Sequence, residues 1–191
     1  MDSPHVRQIT DSRVLAAMAH PLRRRLMDVL KVHGPSTVGQ LADRTDQAPA
    51  NVSHHLKVLA AADLVTEAPE LARDRRERWW RLVTRGLRWS NTDFDTDPAA
   101  RAVADAATSL NLDRHVALAR AWHAADESAQ ATWNDAPFST DHWLRLTPDE
   151  LAELSHEMID LLARWANRDL PDDGADRRPV FVFVHGVPAR P

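Results

Sequence analysis

The sequence contains no cysteine. Disulfides, thiolate zinc sites and cysteine nucleophiles are therefore excluded, and so is a sensor of arsenic, which thiolates would have to capture. Glycine is scarce as well, with five residues among 191. None of them forms the Gly-x-Ser-x-Gly turn of an α/β-hydrolase, although FVFVHG at 181–186 resembles the oxyanion strand of such enzymes. We therefore expect neither enzyme activity nor a cofactor.

Long apolar runs are also absent, and no stretch approaches the ~18–20 residues that span a bilayer. The first residues, MDSPHVRQITDSR, lack the apolar core of a signal peptide. We expect a cytoplasmic protein that does not enter a membrane.

Charge is distributed unevenly along the chain. Residues 1–90 hold 15 basic and 10 acidic side chains (+5), whereas residues 91–191 hold 9 and 18 (−9), which together give the net charge of −4. A basic first half can approach DNA, and an acidic second half should face away from phosphate. We therefore divide the chain into a domain at 1–90 and a second domain at 91–191.

The first half begins with helical patterns. Residues 11–18 read as a short helix, and a second helix begins near Pro21, carries apolar residues at 22, 26, 29 and 30, and ends at Gly34-Pro35. Its three arginines, 23–25, form either a solvated face or a surface from which one or two contact phosphate.

Two short amphipathic helices follow. Thr37 and Gln40 form a capping box for a helix at 38–44, residues 45–48 break it, and Pro49 opens the next helix. Val52, Leu56 and Leu59 recur at helical spacing and predict its buried stripe. Polar side chains that can reach a base edge or a phosphate remain on its other faces. We expect Gln47, Asn51, His54 and His55 at base edges, and Ser53 and Lys57 at phosphates. Because adjacent residues diverge by about 100° on a helix, the pattern leaves open whether both histidines or only one of them reaches a base.

A β-hairpin is predicted next, from strands at 64–67 and 78–83 around a charged tip. Seven arginines lie between residues 72 and 88, and we expect Arg73, Arg75 and Arg76 to contact DNA phosphates or the minor groove. The alternative is a solvated tip whose arginines pair with its own acids.

The segments AHPLRRRLMDVL, VGQLADRT, VSHHLKVLAAADLV and RERWWRL, in this order, resemble the winged helix domain of the ArsR/SmtB family of bacterial transcription regulators. The resemblance covers residues 11–84. It implies a homodimeric DNA-binding repressor with Ser53 and His54 on the recognition helix and the hairpin as its wing. Trp79 and Trp80 replace the smaller aromatic residues usual in the family, and we interpret them as a change in packing.

The second half is less regular. Residues 89–97 read as an acidic linker, and Asp97-Pro98 caps a long alanine-rich helix that reaches about residue 126. Val103, Leu110 and Ala117 give this helix a sevenfold stripe, which serves either a dimer interface or packing within the chain. Another helix starts at Thr147-Pro148, with an apolar stripe from Leu151 to Trp165.

A small α+β element is predicted around this last helix. Residues 180–184 read as a strand, and residues 142–146 are its expected partner. The predicted fold class is therefore mainly α, with an N-terminal winged helix-turn-helix, a β-hairpin wing and a helical C-terminal region that holds a two-stranded α+β element.

Two inputs for regulation can be considered. Weak metal candidates are Asp113, His115, His123 and Asp126, although seven residues separate the two histidines where family zinc sensors have about ten. The second input is a small apolar ligand, because most of the large aromatic side chains lie in the second half: Trp122, Trp133, Phe138, Trp143, Trp165, Phe181 and Phe183.

The sequence thus predicts a homodimeric repressor that binds an inverted-repeat site in double-stranded DNA. The pattern leaves its input open between release by a small molecule, control by a protein partner and constitutive binding, because core packing also explains the aromatic side chains. One alternative is a protein-interaction module that uses the winged helix as a scaffold. Another is a zinc-responsive sensor.

Overall fold

A computed structural model describes residues 6–74, 77–84 and 86–190. The seven helices of this part of the chain are α1 (Ser12–Met18), α2 (Pro21–His33), α3 (Val38–Thr45), α4 (Pro49–Ala61), α5 (Pro98–His123), α6 (Glu127–Ala131) and α7 (Pro148–Asn167). Its strands are β1 (Val6–Gln8), β2 (Ser36–Thr37), β3 (Val65–Glu67), β4 (Trp79–Leu82) and β5 (Gly86–Arg88). The prediction of a mainly α fold is confirmed.

The helix boundaries follow from local chemistry. The Asp11 carboxylate accepts the Arg13 N–H before α1, and Gly34, with a φ of 72°, ends α2. Thr37 and Gln40 form the predicted capping box of α3. The Gln40 N–H donates to the Thr37 hydroxyl at 3.2 Å, and the Thr37 N–H donates to the Gln40 side-chain oxygen at 2.9 Å.

The turn between α3 and α4 is tight. Asp46 takes a left-handed conformation with a φ of 54°, and the Gln47 N–H donates to the Ala42 carbonyl at 3.0 Å. The buried Thr45 hydroxyl donates to the Leu41 carbonyl at 2.6 Å. The chain therefore reverses between the two helices with its backbone groups largely satisfied, as a helix-turn-helix requires.

Side chains from α1 to α4 form one core. Its fully buried members include Leu15, Leu26, Leu41, Val52, Leu56, Leu59 and Leu64. The predicted stripe of α4 is confirmed, because all three of its residues are 0% exposed. Burying each such side chain stabilises the fold by roughly 1.5–3 kcal/mol.

The wing is a three-stranded antiparallel sheet in the order β2-β4-β3. Val65 pairs with Leu82 and Glu67 with Trp80, while Ser36 of β2 pairs with Trp80 from the other side. Trp80 is 4% exposed and belongs to the core, which agrees with the interpretation of this tryptophan as a packing residue. The predicted hairpin is confirmed.

Two features of the chain between residues 6 and 112 were not predicted. Strand β1 pairs in parallel with β5, in the register Val6 to Gly86. The expectation of an irregular linker at 89–97 is wrong, because a 3-10 helix at Asn91–Phe94 buries Phe94 to 3% exposure. Phe94 and Ala104 of α5 both belong to the buried core.

The described residues form two compact units, which divide between Leu112 and Asp113 within α5. The charge pattern of the sequence had suggested a domain boundary between residues 90 and 91. The first unit extends further because Val103, Ala104 and Ala107 of α5 pack against its core.

The second unit contains the end of α5, α6, α7 and an extended C-terminal stretch. Helix α7 has the predicted start, where the Thr147 hydroxyl accepts the Glu150 N–H at 3.3 Å. None of its residues is fully buried. Within the described residues, no helix is both long and apolar enough to cross a membrane.

The predicted two-stranded element is wrong. Neither 142–146 nor 180–184 forms a strand in the described structure, and both segments are exposed. Water can satisfy exposed backbone groups, so the chain has no need to pair them internally.

Candidate nucleic-acid interface

Helix α4 presents a polar stripe to solvent. Asn51, His54 and Lys57 are exposed and follow one another at intervals of three residues, which places them along one side of the helix. Ser53 is half-buried beside them. Four of the residues predicted to contact DNA from α4 are therefore accessible on a helix whose opposite side is buried.

Gln47 extends this stripe towards the turn. Its side-chain oxygen accepts from the Asn51 amide at 2.9 Å, and its own amide donates to the Asp46 carbonyl at 2.8 Å. Both residues are exposed, so each amide keeps hydrogen-bonding capacity on its outer side. Among the described residues no side chain caps the N-terminus of α4, and Ala48 and Pro49 at this positive end of the helix dipole are exposed.

His55 lies elsewhere than expected. The sequence analysis placed it on the exposed faces of α4, but it is 8% exposed, because it follows Val52 by three residues and so falls beside the buried stripe. Its ring lies 4.4 Å from that of His20 and 5.3 Å from that of His54, between ring centroids. The expectation that His55 lies on an exposed face of α4 is therefore wrong, and its burial argues against a contact with a base edge.

The His55 imidazole is in an unfavourable place for a charge. Burial lowers its pKa below 6.5, and the charges of His20, Arg23 and His54 lower the pKa further. Its Nδ1 is buried and has no hydrogen-bond partner among the described residues. His55 is thus held as a neutral ring between α2 and α4.

His20 was missed by the sequence analysis. It is the N-cap of α2, and its Nδ1 accepts the Leu22 N–H at 3.1 Å. The signal for this role was its position directly before Pro21, which marks the residue preceding a helix.

The wing arginines differ in their surroundings. Arg78 and Arg81 form ion pairs with Glu67 and Glu70, at 3.6 Å and 2.6 Å. Arg73 is exposed, and its backbone N–H donates to the Glu77 carboxylate at 2.9 Å.

The hydrogen bond from the Arg73 backbone N–H lowers the pKa of the Glu77 carboxyl group below its usual range. Arg75 and Arg76, two of the predicted contacts, lie outside the described residues.

The three arginines of α2 are largely engaged within the first unit. Arg23 donates to the Ala16 and Ala17 carbonyls at the end of α1, and partial burial lowers its pKa. Arg24 donates to the Asn111 side chain. Only Arg25 is fully exposed, with a 3.3 Å bond to the Arg44 carbonyl.

The weak metal candidates do not assemble into a site. No group of three potential ligands that could hold a metal occurs among the described residues. His115 instead contacts His185, with 3.1 Å between Nδ1 and Nε2. Asp113, His123 and Asp126 are exposed.

The aromatic residues of the second half do not enclose a pocket. Trp122 and Trp133 are half-buried, whereas five others are exposed by 36% to 78%: Phe138, Trp143, Trp165, Phe181 and Phe183. Side chains this open to water do not form the concave apolar cavity that a small ligand requires.

Comparisons with known proteins bear on this geometry. A family model described as a helix-turn-helix domain matches residues 18–68. The HTH-type transcriptional regulator Rv2034 of Mycobacterium tuberculosis is 39% identical over 83 residues, which cover 44% of this chain and 73% of that protein. The chain belongs to the ArsR/SmtB-like family of winged helix-turn-helix regulators.

Two further relatives are similar over shorter stretches. The transcriptional repressor SdpR of Bacillus subtilis is 32% identical over 56 residues, 29% of this chain and 61% of that protein. A solved structure described as a "possible transcriptional regulator for arsenical resistance" is 33% identical, with 55% of this chain and 93% of that chain covered and a TM-score of 0.34. The family resemblance seen in the sequence is confirmed, and it resides in the first unit.

Proposed function

We propose that this protein is a homodimeric transcription regulator that inserts α4 into the major groove of DNA. One observation carries the proposal: Asn51, His54 and Lys57 form an exposed polar stripe on the second helix of a helix-turn-helix. A helix that only packed in a core would not require amide, imidazole and ammonium groups along its outer side.

Each exposed group has a chemical role in this proposal. Gln47 and Asn51 can donate to and accept from a base edge, as an amide does with adenine, and His54 reads a neighbouring base. Ser53 and Lys57 contact phosphates. His55 is no longer included, because it is buried between two helices.

The wing supplies further phosphate contacts. Arg73 is exposed beside the ion-paired Arg78 and Arg81, and Arg75 and Arg76 follow it in the sequence. Arginines in such a loop clamp phosphates or enter a narrow minor groove, which positions the recognition helix without specifying sequence.

A homodimer would read an inverted repeat, because two recognition helices related by a two-fold axis require two half-sites. Helix α5 offers a surface for the dimer, since Leu110 and Leu112 are 51% and 43% exposed. Binding to a promoter by such a dimer would repress transcription in the cytoplasm. Release by a small apolar effector stays a prediction from the sequence.

The proposal can be tested by gel shift on the DNA directly upstream of the gene. We expect binding that weakens steeply as salt rises from 50 to 200 mM, by a factor on the order of 10³ for about six phosphate contacts. The matched variant His54→Ala should lose sequence preference and keep most of its salt dependence. Absence of salt-sensitive binding to this and to unrelated DNA would contradict the proposal.

A second candidate function is a protein-interaction module. It is favoured by α7, which has no fully buried residue and leaves Leu161 and Trp165 exposed by 36% and 60%. This candidate expects no salt-sensitive DNA binding, so the same gel shift separates the two functions.

A further inference from the structure

The C-terminal stretch contains a segment with the same sequence in both directions. Residues 180–184, here called the terminal segment, read Val-Phe-Val-Phe-Val and are symmetric about Val182. The segment carries no charge, no glycine and no proline, and its residues are β-branched or aromatic, which favours an extended strand.

The structure anchors one side of this segment. The rings of Phe181 and Phe183 stack 5.9 Å apart, so both side chains project to the same side, as in an extended chain. Both rings contact His115 of α5, at 5.3 Å and 5.2 Å between centroids. The phenylalanines of the segment thus contact a helix, and they remain 46% and 36% exposed.

The other side of the segment is open. Val180, Val182 and Val184 alternate with the phenylalanines and are 65%, 41% and 48% exposed. Over the described residues, the segment belongs to no sheet and none of its backbone groups hydrogen bonds to another backbone group. An exposed, uncharged, extended segment whose backbone groups are not paired with other backbone groups is a template for pairing with another chain.

We propose that the terminal segment pairs antiparallel with the same segment of a second copy, with the two-fold axis at Val182. In this register Val182 faces Val182, Val180 faces Val184, and Phe181 faces Phe183 of the other copy. A contact about a two-fold axis uses the same patch on both chains, so the palindromic order of the segment suits it.

Charge is consistent with this register. No two like charges are directly opposed, because each charged residue flanking the segment faces an uncharged one. Pro179 and Pro188 lie outside the segment and limit the ladder, since neither can donate a backbone hydrogen bond.

The size of the contact defines its role. Stable interfaces bury about 800 Å² on each partner, which is more than five paired residues supply. The segment therefore reinforces a dimer that has another interface. The pairing rests on the homodimer proposed above and is independent of DNA binding.

Single cysteines test the register directly, because the natural chain has none. Opposed Cα atoms in an antiparallel pair are about 4.5–5.5 Å apart, within the range of a disulfide. In this register Val180 lies four positions along the strand from Val180 of the other copy, and the same holds for Val184. The Cα atoms of each such pair are about 14 Å apart. Val182→Cys is therefore expected to form a covalent dimer on mild oxidation, roughly tenfold faster than Val180→Cys or Val184→Cys alone.

Mixing the last two variants should form the heterodimer that neither forms with itself. Slow cross-linking of Val182→Cys, or equal self-cross-linking of all three variants, would overturn the proposed register; the second result indicates parallel pairing or random collision. Sedimentation of the unmodified chain shows separately whether it is dimeric. A dimer without the Val182→Cys cross-link would reject the pairing and leave the homodimer in place.

Discussion

In the proposed function, the specificity of α4 for its DNA site depends on the Asn51 and His54 side chains. Both are exposed, and Asn51 is held by Gln47 at 2.9 Å, which reduces the entropy that an ordered amide loses on contact with a base. Asn51→Ala or His54→Ala should each reduce discrimination between specific and unrelated DNA by about 1–3 kcal/mol.

Fluorescence anisotropy on the two DNAs measures this difference. His33→Ala removes an exposed histidine from the last turn of α2 and serves as the matched control. If His33→Ala and His54→Ala reduced the discrimination between the two DNAs equally, the loss would reflect the removal of any exposed histidine and not a base contact of His54.

His55 makes stability depend on pH. Its pKa is lowered in the folded chain by burial and by His20, Arg23 and His54, whereas the unfolded chain has a value near 6.5. Between these two values the unfolded chain binds more protons, so the stabilisation present above pH 6.5 is lost as the pH falls through the folded value.

His55→Phe keeps a ring in this position and removes the titration. We expect the urea midpoint of the wild type to fall more steeply between pH 7.5 and 5.5 than that of His55→Phe. His20→Asn, which retains an N-cap, should flatten the profile in part. Parallel profiles for all three proteins would reject this role for the imidazole pair.

The residues show where sequence reasoning could and could not succeed. Asn51, His54 and Lys57 follow from the helical period alone, because their spacing relative to Val52 and Leu56 defines the exposed side. His55 lies at the edge of the buried stripe, and its burial depends on His20 from another helix. No local pattern in α4 contains that contact.

At the scale of elements, the capping box of α3 holds the helix-turn-helix in place. Thr37→Ala removes the hydroxyl that accepts the Gln40 N–H and should lower the free energy of unfolding by about 1 kcal/mol.

Denaturation in urea measures this loss. Thr96→Ala, at an exposed threonine outside a helix, should change stability by less than about 0.5 kcal/mol. If both variants behaved alike, the capping box would not contribute to stability.

The wing is expected to contribute affinity without specificity. The double variant Arg75→Ala, Arg76→Ala should weaken binding to all DNA sequences and reduce the slope of log affinity against log salt by about 1–2.

The control is Arg177→Ala with Arg178→Ala, which removes the same charge from two adjacent arginines that pair with Asp173 and Asp176. An unchanged slope in the wing variant, or an equal change in the control, would contradict a contact between the wing tip and DNA.

Elements with local signals were predicted well, and those that depend on distant pairing were not. Helices α1 to α3 have side-chain caps, α4 begins at Pro49, and apolar residues recur at helical spacing in these helices, so their positions follow from the sequence. The pair β1–β5 joins residues about 80 positions apart, and neither three-residue strand has a pattern of its own. The segment at 180–184 has the composition of a strand, but composition does not supply a partner.

At the scale of the whole molecule, the two units have different roles in the proposed function. The first contains residues 18–68, which the helix-turn-helix family model matches. The second is acidic and leaves much apolar surface exposed, as expected of a region that meets another copy of the chain.

Selection of bound duplexes from a random DNA pool by the intact protein tests the central claim most directly, because no operator need be known beforehand. We predict enrichment of an inverted repeat whose half-sites are centred about 10–10.5 base pairs, or a multiple of that distance, apart. The same selection with His54→Ala should lose the preference within each half-site. Recovery of no common sequence by the wild-type protein, together with binding that does not respond to salt, would contradict the account.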